Sequence, residues 1–279
     1  MASGGAPIIT FEDGWARIRT RGIDKLEAMI DHGMDNPKQS FKNKEYVELY
    51  TTVYTMCIQK APHCYTEQLY EHFATSIKDY LQKVAYPALQ AKTGPALIQE
   101  LVRRWQDHRI MKKWLCDFFR YIDRFYVKRQ SAKPLAMVCI ERFYTLVFAP
   151  IQVRATPAIL ALVKQDRGGE EVDRDLLRDV IEIYIEMGAI QQANLVVYTS
   201  EFETPFIAAT EEYYALAVAE WVQNDSCPDF LCKAEQRFAA ERRRLTRCDY
   251  STTITGLRLF FLVFPTIRCS SEPLIAMTF

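Results

Sequence analysis

The chain has 279 residues, 49% of them hydrophobic and 13% aromatic, which supplies a sizeable core and excludes a largely disordered protein. Lys plus Arg (35) equal Asp plus Glu (35), so no charge bias marks the whole chain as a nucleic-acid or membrane-surface binder. The opening residues MASGGAPIITFEDGW hold no basic stretch followed by an apolar one, and no run of 18 apolar residues occurs, so neither a secretory signal nor a membrane-spanning helix is expected.

Helical spacing dominates from the start. Ile18, Ile23, Leu26, Met29 and Ile30 predict a first helix over residues 12–32, interrupted near Gly22, and Asp35 to Ser40 reads as a loop. The stretch YVELYTTVYTMC, residues 46–57, is the most informative. At 3.6 residues per turn Tyr46, Leu49, Tyr50, Val53, Tyr54 and Cys57 fall on one side, with Glu48, Thr51, Thr52 and Thr55 on the other. Tyrosine has an apolar body and a polar tip, which suits a helix that faces a core and also reaches a partner. A plain core stripe with its hydroxyls at the edge is the simpler reading of the spacing alone.

A third helix is predicted over 65–86, stopped at Pro87, and Lys92 to Pro95 loosens the next connection. Leu97, Leu101 and Trp105 resume the pattern. It then shifts phase to Met111, Trp114, Leu115, Phe118, Ile122 and Phe125, which predicts a kink or break near Asp107-His108. A helix is expected over 135–148. Thr156-Pro157 reads as the start of another, with Thr as N-cap and Pro first in the helix, ending at Gly168-Gly169. Asp173 caps residues 176–187, with Gly188 after them, and further helices are expected over 210–224 and 229–245. No alternating strand pattern appears before residue 250. The expected class is all-α, with long helices and short connections.

Sites for chemistry are not visible. The eight cysteines include no C-x-x-C pair and read as reduced thiols. His63-Cys64 and Cys227-x4-Cys232 lack a second half at zinc-ligand spacing, so no metal is expected. No glycine-rich phosphate loop, nucleophile elbow or H-E-x-x-H is present, and no cofactor or catalytic residue is assigned. Arg242, Arg243 and Arg244, with Arg237 and Arg247, could meet a phosphate backbone. They close a helix whose dipole favours cations there, and Glu235 and Glu241 interrupt the charge, so no nucleic acid is expected.

Ordered runs across about 235 residues then carry a resemblance. They include Phe11-Glu12-Asp13-Gly14-Trp15, Gly22 to Leu26, Cys57 to His63, Gln68-Leu69-Tyr70 and Tyr86 to Leu89. Trp114-Leu115, Phe118-Phe119, Tyr121 to Arg124 and Val127 follow, then residues 161–188, Tyr213-Tyr214, Glu220-Trp221 and Asn224 to Asp229. In this order they resemble the N-terminal part of a plant cullin, of the class that scaffolds SCF ubiquitin ligases. The resemblance implies stacked five-helix repeats forming an elongated stalk: a first repeat over 1–152, a partial second over 153–247, and a divergent tail over 248–279. It implies a non-catalytic scaffold, cytoplasmic and nuclear, that holds a Skp-type adaptor and through it F-box proteins. The adaptor would sit on two helices, residues 45–60 and about 108–128. The positions implied are Tyr46, Val47, Tyr50, Met111, Lys112, Leu115 and Phe119, with Tyr46 foremost. The resemblance stops near Leu245. The family's RING-recruiting domain and modified lysine are not matched, so adaptor binding without a RING subunit or ubiquitin transfer is expected. A dominant-negative or inactive fragment, and an unrelated helical-repeat binder, stand as alternatives.

Overall fold

The computed structural model describes residues 8–31, 41–188 and 196–247, with side chains described as far as residue 241. Every regular element among them is helical. The first rod, α1, covers residues 11–31: Phe11–Ile18 and Asp24–Asp31 joined by one π-helical turn, Arg19–Ile23, where the interruption near Gly22 was expected. Thr10 caps it, its hydroxyl accepting from the Asp13 N–H at 3.1 Å. α2 is Asn43–Ile58, and α1 lies close against it: a Cβ on Gly14 would fall 2.3 Å from the Met56 sulfur. α3 covers 66–90, and α4 is Gly94–Phe118, continuing after a bend at Phe119 through a π turn, Ile122–Val127. α5 is Leu135–Gly168, closed by Gly169 in the left-handed region at φ 89°. α6 is Arg174–Gly188, capped by Asp173, whose carboxylate accepts from the Leu176 N–H at 3.0 Å. α7 covers 196–224, and α8 is Cys227–Arg247.

Proline is handled in one recurrent way. Pro87, Pro150 and Pro205 each sit two residues past a π turn, at Leu81–Ala85, Tyr144–Phe148 and Thr199–Glu203. A proline inside a helix lacks a donor and its ring crowds the carbonyl four residues back. A wider turn just before it relieves that crowding, so the rod continues. The stop expected at Pro87 is therefore corrected. Pro157 also lies inside a helix rather than at a start. Thr156 is a buried tertiary contact, not a cap: its hydroxyl pairs with the Tyr184 hydroxyl at 2.9 Å and donates to the Glu201 carbonyl at 3.1 Å. Thr210 likewise falls within α7, bonding the Phe206 carbonyl at 2.6 Å.

α4 is the axis of the array, packed against α1, α2, α5 and α6. No break occurs near Asp107-His108. His108 is itself a buried member of the stripe Leu97, Leu101, Trp105, His108, Met111, Leu115 and Phe118. Its Nε2 pairs with the Cys139 carbonyl at 3.0 Å. The apparent phase shift is this stripe winding round α4 to meet several neighbours. Residue 152, the expected end of the first repeat, lies inside α5, so that rod serves both halves of the array.

α5 is long and apolar enough to cross a membrane by length and composition alone, a test that a core helix also passes. Its Leu135, Cys139, Phe143, Val147, Phe148, Ile151, Ala155 and Ile159 are buried in the helical core. In the second half, Arg167 ties three rods together. Its guanidinium meets Glu241 on α8 and the Thr210 hydroxyl on α7, both at 2.8 Å, and lies over the rings of Phe206, Tyr213 and Tyr214. The side chains of Arg242 to Arg247, and the tail over 248–279, lie outside the described residues.

Candidate functional site

The tyrosine helix divides its apolar arc. Leu49, Thr52, Val53, Met56 and Cys57 form the buried stripe of α2. The tyrosines recur every four residues, and each such step turns about 40° past a full turn. The row 46, 50, 54 therefore walks away from the core: Tyr46 and Tyr50 are half-buried, Tyr54 is 38% exposed, and Ile58 continues outward at 48%. Val47 stands clear at 57%. Thr52, expected on the polar side, is buried because its hydroxyl donates to the Glu48 carbonyl at 2.8 Å.

The bend in α4 completes this face. Beyond Phe119 the backbone turns so that Tyr121 and Phe125 point outward. Tyr54 meets Tyr121 edge-on at 5.0 Å and stacks on Tyr50 at 6.4 Å, and Tyr121 lies 4.5 Å from Phe125. Phe125 is half-exposed. Behind Tyr46 stands Phe118 at 6.1 Å, which meets Phe41 edge-on at 5.0 Å, and Phe41 meets Trp114 at 5.0 Å. Partial burial raises the Tyr121 hydroxyl pKa, helped by Cys57 and Tyr54. Arg120 is held in its charged form by its hydrogen bond to Asp117 and by nearby Tyr46. Burial pushes the Cys57 thiol up to about 12, so it is an inert core group. Among the described residues no three His, Cys, Asp or Glu side chains converge as a metal site would need.

The comparisons bear on what such a helical array is. The cullin alpha solenoid domain matches residues 23–260. The chain belongs to the cullin family. The match reaches 15 residues past Leu245, where the resemblance was expected to stop. Among curated relatives, a putative cullin-like protein 1 of Arabidopsis thaliana is 35% identical over 246 residues, 88% of this chain and 33% of its own length. Cullin-2 of Arabidopsis thaliana is 36% identical over 242 residues, 87% and 32% of the two chains. A putative cullin-like protein 2 of the same plant is 36% identical over 250 residues, 88% and 64%. The chain thus spans about a third of the length of the first two.

Within this cullin array the expected adaptor residues separate into three places. Tyr46, Val47 and Tyr50 gather on the outer arc of α2. Met111, Leu115 and Phe119 are core residues, each no more than 1% exposed, so their direct contact with a partner is corrected. They occupy the inner arc of α4, which packs on α2 and α5. Lys112 lies over the Trp105 ring at 6.0 Å and its charge acts on Cys139 of α5. That places it away from the α2 face. Sequence reasoning did not single out Tyr121, Phe125 and Arg120 beside α2, and it left open whether Tyr54 faces the core or a partner. The signal available was the four-residue spacing of 46, 50, 54 and of 121, 125, set against a buried stripe that also steps by three.

Proposed function

We propose that this cullin chain is a non-catalytic scaffold of the SCF type. Its α2 face and the outward end of α4 take a Skp-type adaptor, which brings F-box proteins into ubiquitin-dependent degradation in the cytoplasm and nucleus. The observation that carries the reading is the row of exposed Val47, Tyr54 and Phe125 with half-buried Tyr50 and Tyr121 on two mutually packed helices. Aromatic anchors on a rigid support, beside charged Glu48 and Arg120, match the make-up of protein–protein hot spots. Family membership supports a scaffold role, and no catalytic step is assigned to any described residue. Adaptor binding alone is assigned to this face, without a RING subunit. Co-purification of the full chain with a plant Skp-type adaptor and an F-box protein, followed by light scattering on a sizing column, tests it. A one-to-one-to-one complex is expected. A soluble, helical chain that elutes alone at tens of micromolar adaptor would refute the proposal.

A further inference from the structure

Next to the aromatic face, on the same stretch of helix, Arg120 opens onto a cleft whose other residues the adaptor reading does not use. Arg120, Asp123, Arg124, Val127 and Lys128, with Pro134 at the head of α5, line a shallow cleft of about 440 Å³. The cations at 120, 124 and 128 recur every four residues and so form one ridge. Both acids near the ridge are engaged. Asp117 pairs with Arg120, and the Asp123 carboxylate accepts from the Leu135 N–H at 2.9 Å. Among the described residues neither Arg124 nor Lys128 has an ion-pair partner, and the Arg124 guanidinium rests 5.7 Å over the Phe125 ring. The floor of the cleft is apolar, from Val127 and Pro134. Arg124 and Lys128 outnumber the one carboxylate in the cleft, Asp123, and this net positive charge over an apolar floor, continuous with exposed rings, fits one kind of occupant.

We propose that this cleft takes an acidic peptide segment carrying an apolar anchor. Its carboxylates meet Arg124 and Lys128, and its apolar side chain rests on Val127 and Pro134. The inference deepens the adaptor-binding reading, on which it rests for the identity of the partner: the segment belongs to the adaptor seated on the tyrosine face. Nucleic acid is disfavoured as the occupant. The chain as a whole is neutral, and the shallow floor presents aliphatic groups instead of stacking rings.

The test uses the full chain and two probes. In titrations against a Skp-type adaptor, the R124E/K128E variant should raise Kd at least tenfold at 50 mM salt. It should also flatten the rise in Kd that the unaltered chain shows between 50 and 300 mM salt. The second probe is a fluorescein-labelled peptide of Glu and Leu, run beside the same peptide with Gln for Glu. The acidic peptide should bind the unaltered chain and lose binding to R124E/K128E. The Gln peptide should bind at least tenfold more weakly. R124Q/K128Q, which adds no negative charge, should fall between. Failure of the adaptor to bind while the acidic peptide binds at the ridge would remove the adaptor reading and leave the acidic-segment inference standing. Adaptor binding unchanged in Kd and salt slope by R124E/K128E would overturn the inference and keep the adaptor reading. Equal binding of the Glu and Gln peptides, or displacement of the acidic peptide by a single-stranded oligonucleotide at lower concentration than by itself, would overturn it as well.

Discussion

Replacing Tyr54 with alanine separates the face that binds from the core that supports it, and Met111→Ala is its counterpart. Tyr54 is 38% exposed. A tyrosine offers about 200 Å², so roughly 80 Å² of its surface remains for a partner. At about 25 cal/mol per Å² that is about 2 kcal/mol, a roughly 30-fold weaker Kd for the adaptor. The same substitution loses the edge contact with Tyr121 at 5.0 Å and the stack on Tyr50 at 6.4 Å. Those exposed ring pairs contribute about 1 kcal/mol together, so Tm should fall by about 2–4 °C. Met111 is 1% exposed and lies on the inner arc of α4. Its truncation leaves a cavity, costs about 2–5 kcal/mol and lowers Tm by about 4–20 °C. Isothermal titration of folded Met111→Ala against the adaptor should still give a Kd within threefold of the unaltered chain. The reasoning fails if Tyr54→Ala binds normally while Met111→Ala, native by near-ultraviolet circular dichroism at the assay temperature, binds 30-fold more weakly.

Three further outcomes are expected. Burial holds His108 neutral, with its pKa pushed down to about 3 from an ordinary 6.5. The unfolded chain takes up that proton below pH 6.5 and the folded chain does not until about 3. Stability is therefore full above 6.5 and falls by about 1.4 kcal/mol per pH unit on acidification through that window. Urea midpoints at pH 7 and pH 5 should show about 2 kcal/mol of acid loss that His108→Phe lacks, and an equal loss in both would count against the assignment. Arg167→Met removes the 2.8 Å ion pair to Glu241, which keeps the Tyr214 hydroxyl bond at 2.6 Å, and should cost about 3 kcal/mol. Hydrogen exchange should accelerate about 100-fold or more in α7 and α8 and stay unchanged in α2 and α4; uniform acceleration would mean the clamp is not local. Gly14→Ala brings a methyl within 2.3 Å of the Met56 sulfur, the flexible end of that side chain. A repacking cost of about 1–3 kcal/mol is partly offset by the roughly 1 kcal/mol alanine gains over glycine in a helix. The G14A/M56A pair should be less destabilised than the sum of its parts, and strict additivity would show that the contact relaxes elsewhere.

Signals that act within a few residues were legible before the structure. The interruption at Gly22, the Asp173 cap and the left-handed Gly169 all depend on local backbone chemistry. The stop expected at Pro87 and the starts expected at Thr156-Pro157 and Thr210 failed for a common reason. Each residue has a local preference that a distant partner or a wider turn overrides: a π turn before Pro87, the Tyr184 hydroxyl at Thr156, the Arg167 guanidinium at Thr210. His108 misled in the same way, because a polar letter in an apolar stripe looks like an interruption until its carbonyl partner is known. At the candidate site the periodicity of α2 and α4 marks which residues are apolar. It does not say which of two apolar arcs another helix covers. Met111, Leu115 and Phe119 were assigned outward and lie inward because α4 is surrounded, a property of the assembled rods and not of its own sequence.

The bend at Phe119 explains why a binding face arises where it does. A straight continuation of α4 would keep its apolar stripe turned toward the core past residue 119. The Phe119 backbone, at φ −95° and ψ 13°, leaves the helical region, and the π turn that follows resets the phase. Phe119 thus packs inside against Phe73 at 5.3 Å, while Tyr121, two residues on, meets Tyr54 at the surface. The same few residues anchor the core and orient the exposed rings. Tyr46 rests against Phe118, and Tyr50, Tyr54, Tyr121 and Phe125 brace one another, so less side-chain freedom remains to be lost when a partner arrives. Changes beneath the face should therefore alter the fraction of folded chain, and changes on it the affinity. The two readouts separate because the rods hold the face in place before any partner binds.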